Sequence, residues 1–151
     1  MFEKLRSLLA GSDQPRDDAP DLAVAVAALL VEAARADEDY QEEEKALIDR
    51  FLATEFGLSA ADATAIRNRG EEAQAQANDL HKFTRVVKTM DSAHKMHFVE
   101  RLWRIVLSDA RRDPNEDTLI RQVCSLIYVT DPESGAARHR AQNALQSEEK
   151  S

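Results

Sequence analysis

The amino-acid sequence predicts an all-α fold, a single compact bundle of about seven helices. The chain of 151 residues has only four glycines and four prolines, which leaves few candidates for the many turns of a β-protein. Apolar residues recur three and four positions apart along most of the chain, which is the spacing of a helix that buries one face. A third observation is a repeat, in which residues 27–52 resemble residues 99–124.

The two copies of the repeat have the same plan. An apolar helical pattern ends at an aspartate, a polar turn follows, and a glutamate lies just inside the next helix. We interpret this pattern as two helix-turn-helix units packed around a pseudo-twofold axis, with matching acidic turns. The equivalent positions are Leu30 and Leu102, Asp37 and Asp109, Glu44 and Glu116, Leu47 and Leu119, and Ile48 and Ile120.

The chain divides into a short N-terminal segment, one helical domain and a tail. Residues 1–20 are predicted to form a short amphipathic helix followed by a polar linker. The helical domain spans residues 21–147, and residues 148–151 are expected to fray. Its first helix runs from about residue 21 to residue 36 with one apolar face. The second helix ends near Gly57, because glycine readily adopts the left-handed conformation that terminates helices.

The third helix is the least strongly predicted element. Ser59 is a good N-cap for an alanine-rich helix over residues 60–77. Because this segment has few large apolar side chains, we expect it to pack loosely or to fray around Gly70. A fourth helix is predicted over residues 79–90, where large apolar side chains return at helical spacing.

The last three helices each begin at an aspartate. Asp91, Asp113 and Asp131 are predicted N-caps, since a short acidic side chain can accept a hydrogen bond from a free amide of the first turn. Pro114 and Pro132 follow two of these caps, at the first helical position that proline favours. No strand pattern competes with the helical one.

Composition limits the classes of function. The chain has 28 acidic against 20 basic residues, a net charge of −8, which argues against nucleic-acid binding because phosphate contacts need a basic surface. Cys124 is the single cysteine, so an intramolecular disulfide is excluded. The longest uncharged stretch, residues 22–31, is too short to cross a bilayer, and residues 1–13 do not look like a secretory signal. A cytoplasmic protein is therefore expected.

The first ten residues could make a weak peripheral contact with a membrane. Phe2, Leu5, Leu8 and Leu9 form an apolar stripe flanked by basic residues. Such a short helix more commonly docks on its own bundle or on a neighbouring chain. Both interpretations stay open.

Three segments resemble the tellurite-resistance TerB family. They are residues 79–85 (DLHKFTR), residues 102–104 (LWR), and residues 109–121, which contain the second acidic turn. The first turn also fits, through Ala36-Asp37 and Glu44, although Glu38 and Ala110 stand where the family pattern has glycine. The resemblance covers nearly the whole chain. It implies a compact helical bundle associated with tellurite and other stress responses, and it suggests metal binding by the shared acidic residues.

The acidic turns are the candidate functional site. Asp37, Asp39, Glu44, Asp109 and Glu116 would supply carboxylates that converge where the two turns approach each other. Carboxylate oxygens are hard ligands, so Ca²⁺ or Mg²⁺ is the cation they would bind. The turns do not match the EF-hand pattern.

A structural interpretation explains part of this set. Asp113 with Glu116, and Gln41 with Glu44, have the spacing of a capping box, in which two side chains satisfy free amides at a helix start. Acidic residues in a first turn are also stabilised by the helix dipole. Either effect would place the two glutamates without any ligand.

The two aspartates are less easily explained. Asp37 and Asp109 follow helix ends, where the dipole disfavours an acid, although an Asx-type turn could hold them. A third interpretation is a network of salt bridges with Arg85, Arg104 or Arg121. The aspartates are therefore the part of the repeat that argues for a site.

These observations favour a non-catalytic, cytoplasmic stress-response module that acts through protein partners, with a cation at the acidic turns as a modulator. The alternative is a metal-binding or metal-sequestering protein, or a metal-dependent enzyme that uses the converging carboxylates. No nucleophile elbow, P-loop or dinucleotide-binding motif is present. His94 and His97 have a spacing that can serve a metal, but a structural role is expected.

Overall fold

Every regular element in the described part of the chain is an α-helix. The computed structural model describes residues 21–36, 40–108 and 114–150, with side chains for all of these except 114–116, 149 and 150. The helices are α1 (Leu22–Arg35), α2 (Glu42–Phe56), α3 (Ala60–Gln76), α4 (His81–Val87), α5 (Ser92–Leu107), α6 (Pro114–Leu126) and α7 (Asp131–Lys150). No strand occurs in these ranges. The predicted all-α compact bundle of about seven helices is confirmed, whereas the pseudo-twofold relation of the two repeats stays a prediction.

Helix α1 is the centre of the bundle. Eleven of its fourteen residues are buried, and it packs against α2, α3, α4, α5 and α6. The sequence predicted one buried face, but α1 is apolar around nearly its whole circumference, as expected for a helix enclosed by others. Its many alanines keep it thin, so several neighbours can approach its backbone closely.

Helix α3 makes the closest approach to α1, at the glycine where fraying was expected. The helix continues through Gly70, which is buried. A Cβ atom added there would lie 2.6 Å from the Cβ of Ala27 and 3.0 Å from the backbone nitrogen of Ala28. The expectation of loose packing around this residue was wrong, because small side chains allow two helix backbones to meet without any large apolar residue.

Two predicted helix ends, at Gly57 and Ser59, are found, and the predicted N-cap of α7 is shifted by one residue. The fourth helix is shorter than the predicted range 79–90, and the predicted cap Asp113 lies outside the described residues. Gly57 ends α2 with a left-handed φ of 62°, and the Ser59 hydroxyl accepts a hydrogen bond from the amide of Asp62 at the start of α3. At α7 the cap is Thr130 and not Asp131. The Thr130 hydroxyl accepts from the Glu133 amide at 3.3 Å, and Glu133 Oε1 accepts from the Thr130 amide at 2.8 Å. This reciprocal pair is a capping box.

The predictions for the N-terminal segment concern residues 1–20, which lie outside the described residues. They include the amphipathic helix and its contact with a membrane or with the bundle. Within the described ranges, no helix combines the length and the hydropathy needed to cross a membrane.

The contact between α1 and α3 predicts opposite effects of the same substitution at two glycines. Gly70→Ala should destabilise the protein by about 1–3 kcal/mol, because the new methyl group overpacks the contact with Ala27. Gly135→Ala is the matched control in α7, where an added Cβ has no neighbour within 4 Å. It should stabilise the protein by up to about 1 kcal/mol, the difference in helix propensity.

Urea denaturation monitored by circular dichroism measures both free energies of unfolding. Equal effects of the two substitutions would contradict the close approach of α3 to α1.

Candidate functional site

The structure describes one of the five predicted cation ligands in full. Asp37, Asp39 and Asp109 lie outside the described residues. Glu116 is in α6, but its side chain is also outside them. The convergence of these carboxylates therefore stays a prediction, and Glu44 is the member whose contacts can be stated.

Glu44 has the role that the capping-box interpretation predicted. Its Oε1 atom accepts a hydrogen bond from the backbone amide of Gln41 at 3.0 Å, and Gln41 reciprocates at the start of α2. This confirmed contact orders the first turn of α2, next to residues 37–39. A cation at this turn would have to share Glu44 with the helix cap.

A residue on each side of residues 37–39, Arg35 and Tyr40, is tied to α3. On one side, Arg35 Nη1 donates to Gln74 Oε1 at 2.5 Å, and Gln74 Nε2 donates back to Glu32 Oε1 of α1 at 2.8 Å. On the other side, the Tyr40 hydroxyl donates to Glu71 Oε2 at 2.6 Å. The chain therefore enters and leaves the first acidic turn at two positions held by the same helix.

A partly buried ionic cluster extends this anchor from α3 to α2. Arg67, which is 9% exposed, donates through Nη1 to Glu71 Oε2 and through Nε to Asp49 Oδ1, each at 2.5 Å. The Thr64 hydroxyl donates to the other oxygen of Asp49 at 2.8 Å. We call this set, with Tyr40, the Arg67 network. Charge-assisted hydrogen bonds of this length are among the stronger polar contacts in proteins.

Three groups of the Arg67 network, Tyr40, Arg67 and Glu71, have pKa values shifted so that each keeps its ordinary charge state. Burial raises the pKa of Tyr40, and the hydrogen bond to the Glu71 carboxylate raises it further. Burial alone would lower the pKa of Arg67, but its hydrogen bonds to Asp49 and Glu71 outweigh that effect and raise it. For Glu71, the hydrogen bonds from Tyr40 and Arg67 overcome burial and lower the pKa. Each of these three shifts moves a group further from proton exchange at neutral pH.

Comparison with models of known protein families gives a match. The family described as "Tellurite resistance protein TerB" matches residues 23–139, which is most of the chain. The chain belongs to the TerB family. No curated protein and no solved structure gave a significant match. The matched range contains both acidic turns and the whole Arg67 network of this TerB chain.

The predicted salt bridges of the turn acids with Arg85, Arg104 or Arg121 stay a prediction for this TerB chain, because Asp37, Asp39 and Asp109 lie outside the described residues. Among the described residues, Arg104 pairs with Glu148 of α7, and Arg85 lies exposed on α4. The sequence did not predict the Arg67 network. One local signal of the network was available, because Arg67 and Glu71 have the i, i+4 spacing of a helical ion pair.

A second polar cluster joins α2 to α5 in this TerB domain. His94 Nε2 and His97 Nδ1 lie 3.6 and 3.1 Å from Glu55 Oε2, and His94 also contacts its own helix cap, Asp91. Among the described residues, no group of three or more His, Cys, Asp or Glu side chains is arranged to hold a metal ion. The contacts of the two histidines fit the structural role that the sequence indicated.

The lowered pKa of Glu71 predicts a pH-dependent contribution to the stability of this TerB domain. A carboxyl group whose pKa is lower in the folded state contributes its full stability above the unfolded pKa and loses it as the pH falls through the folded value. We expect Glu71→Gln to lower the free energy of unfolding at pH 7 by about 1–3 kcal/mol, because it removes the charge that Arg67 faces. The difference from wild type should shrink as the pH is lowered from 7 towards 3.

Glu72→Gln is the control, since Glu72 is the exposed neighbour on the same helix and the charge change is identical. Denaturant unfolding of the three proteins at several pH values measures the effect. Parallel pH curves for wild type and Glu71→Gln would contradict the assigned role of Glu71.

Proposed function

We propose that this chain is a non-catalytic, cytoplasmic stress-response module of the TerB family. It acts by binding a protein partner at the face that contains the two acidic turns. A divalent cation, Ca²⁺ or Mg²⁺, binds the turn carboxylates and regulates that contact. The candidate ligands are Asp37, Asp39, Glu44, Asp109 and Glu116.

One observation carries the non-catalytic part of the proposal. The Arg67 network is the strongest concentration of perturbed ionisable groups next to the first turn, and its pKa shifts all move away from neutrality. A general acid or base works best when its pKa lies near the working pH. The pKa values of this network are shifted away from the working pH, which favours a role as a rigid framework over a role in proton transfer.

The same framework supports a binding role for the first turn. Arg35 and Tyr40, which flank it, are each held by α3, and Glu44 is ordered by its capping contact. Holding a segment's ends before binding lowers the entropy lost when a partner docks. The chain's net charge of −8 favours cations and basic partner surfaces over acidic ones.

The cation part of the proposal is tested by calorimetry on the purified protein with Ca²⁺, Mg²⁺, Mn²⁺ and Zn²⁺. We expect Ca²⁺ or Mg²⁺ to bind, and Asp37→Asn combined with Asp109→Asn to weaken binding at least about tenfold, because hard cations need carboxylate charge. Asp62→Asn, at an exposed acidic position of α3, is the matched control and should bind as wild type does. Absence of binding by all four metals would end the cation hypothesis.

Affinity capture with the same variants, with and without EDTA, tests the protein-contact part. We expect a partner that the wild type and Asp62→Asn retain and that the double variant loses. Cation binding without any turn-dependent partner would favour the alternative, a metal-sequestering protein or metal-dependent enzyme. A partner retained equally by all variants would place the contact elsewhere on the surface.

A further inference from the structure

A small basic pocket lies between α4 and the end of α6, and the proposed function gives it no role. His81 and Arg85 of α4 and its C-cap residue Lys88 line one side, at positions four and three residues apart. Ser125 and Tyr128 line the other side. Its volume is about 170 Å³. No carboxylate is among the described side chains that line it. The pocket therefore has the opposite charge from the protein as a whole, which carries −8.

Cationic side chains also surround the aromatic wall of the pocket. The ammonium groups of Lys88 and Lys95 lie 5.8 and 6.0 Å from the centre of the Tyr128 ring. Lys95 belongs to α5, so two helices, α4 with its C-cap and α5, bring positive charge to one place. Bringing like charges together has an unfavourable Coulomb energy, which a bound anion would offset.

Tyr128 is exposed in a backbone conformation that disfavours it. Its φ is 66°, the only positive φ among the described non-glycine residues, and 73% of its surface is exposed. The Val129 amide donates to the Cys124 carbonyl at 2.9 Å, which is the hydrogen bond of a Schellman helix end. Glycine is the residue that fits this position without strain. Neither backbone geometry nor core packing accounts for a tyrosine here, and strain of this kind concentrates at functional sites.

We propose that this pocket binds a phosphate group of a small molecule, either free phosphate or a phosphate monoester. Arg85 can donate two parallel hydrogen bonds to phosphate oxygens, and Lys88 adds a compact positive charge. The Ser125 hydroxyl is a further donor in the lining. Ligand pockets for whole drug-sized molecules have volumes of roughly 300–1,000 Å³, so this smaller pocket suits a single anionic group. The Tyr128 ring then forms a wall beside whatever the phosphate carries.

Titration of the full chain with inorganic phosphate and with AMP, followed by amide chemical shifts and calorimetry, tests the proposal. We expect saturable binding of at least one, with shifts concentrated in α4 and at the end of α6. Arg85→Gln combined with Lys88→Gln should weaken binding at least about tenfold, since it removes the charge-assisted donors. Lys82→Gln is the control, because Lys82 is on α4 but does not line the pocket. Stronger binding of AMP than of phosphate would identify a monoester as the ligand, and the reverse would identify free phosphate.

Substitutions of Tyr128 separate a role in binding from a role in stability, because the thermal midpoint and the ligand affinity should change in opposite directions. Tyr128→Gly should raise the midpoint of thermal unfolding, because glycine accepts the positive φ, and should weaken phosphate or AMP binding. Tyr128→Phe keeps the ring and the strain and should leave the midpoint unchanged. No saturation by either compound up to about 10 mM, a range that includes very weak ligands, would overturn the proposal. So would unchanged affinity in the Arg85 and Lys88 double variant, or binding of an acidic peptide but of neither phosphate compound.

Discussion

The close contact of α1 with α3 is the constraint on which the rest of the structure depends. Helix α1 can be enclosed by five neighbours because its side chains are small and apolar around most of its circumference. Gly70 lets the α3 backbone reach the backbone of Ala27 and Ala28. Close-packed interiors have little free space, so this approach fixes where α3 lies. The polar residues of α3 are positioned as a consequence.

The position of α3 then determines how the first acidic turn is held. Arg67, Glu71 and Gln74 project from successive turns of α3, and they reach α2, Tyr40 and Arg35 respectively. A buried charge is costly without a partner, so the network also makes wrong packings of α2 on α3 unfavourable. Helix α3 therefore links the core of the bundle to the borders of the candidate site.

The all-α fold and the capping contact of Glu44 could be predicted from the sequence, because they depend on local patterns. Helical periodicity gave the all-α fold, and three-residue spacing gave the contact between Gln41 and Glu44. The position of α3 and its Ser59 cap were also predicted. The expectation of loose packing around Gly70 failed, because it considered the size of apolar residues and not the closeness that alanine and glycine permit. The cap of α7 was shifted by one residue, since Thr130 and Asp131 are both good N-cap residues and only Thr130 has a glutamate three positions later. The network of Tyr40, Asp49 and Arg67 joins separate helices, and periodicity carries no information on such pairs.

The left-handed conformation of Tyr128 could not be predicted for a related reason, since no local sequence pattern indicates a tyrosine with positive φ at a helix end. The strain there is of the order of 1 kcal/mol, small beside the total stability of a domain, and can be retained where the side chain has a use. The chain thus has two regions of opposite charge, the acidic turns and the basic pocket. The proposed role of the acidic turns is supported by the resemblance to the family and by the contacts of Arg35 and Tyr40 with α3. The proposed role of the basic pocket is supported by its side-chain geometry.

Native-state hydrogen exchange tests the central role of α1 and its contact with α3 most directly. We expect amides of α1 and of α3 around Gly70 to exchange only through global unfolding, with free energies equal to the value from denaturant titration. Exchange of these amides at a lower free energy than those of α5, through partial opening of the bundle, would contradict that central role.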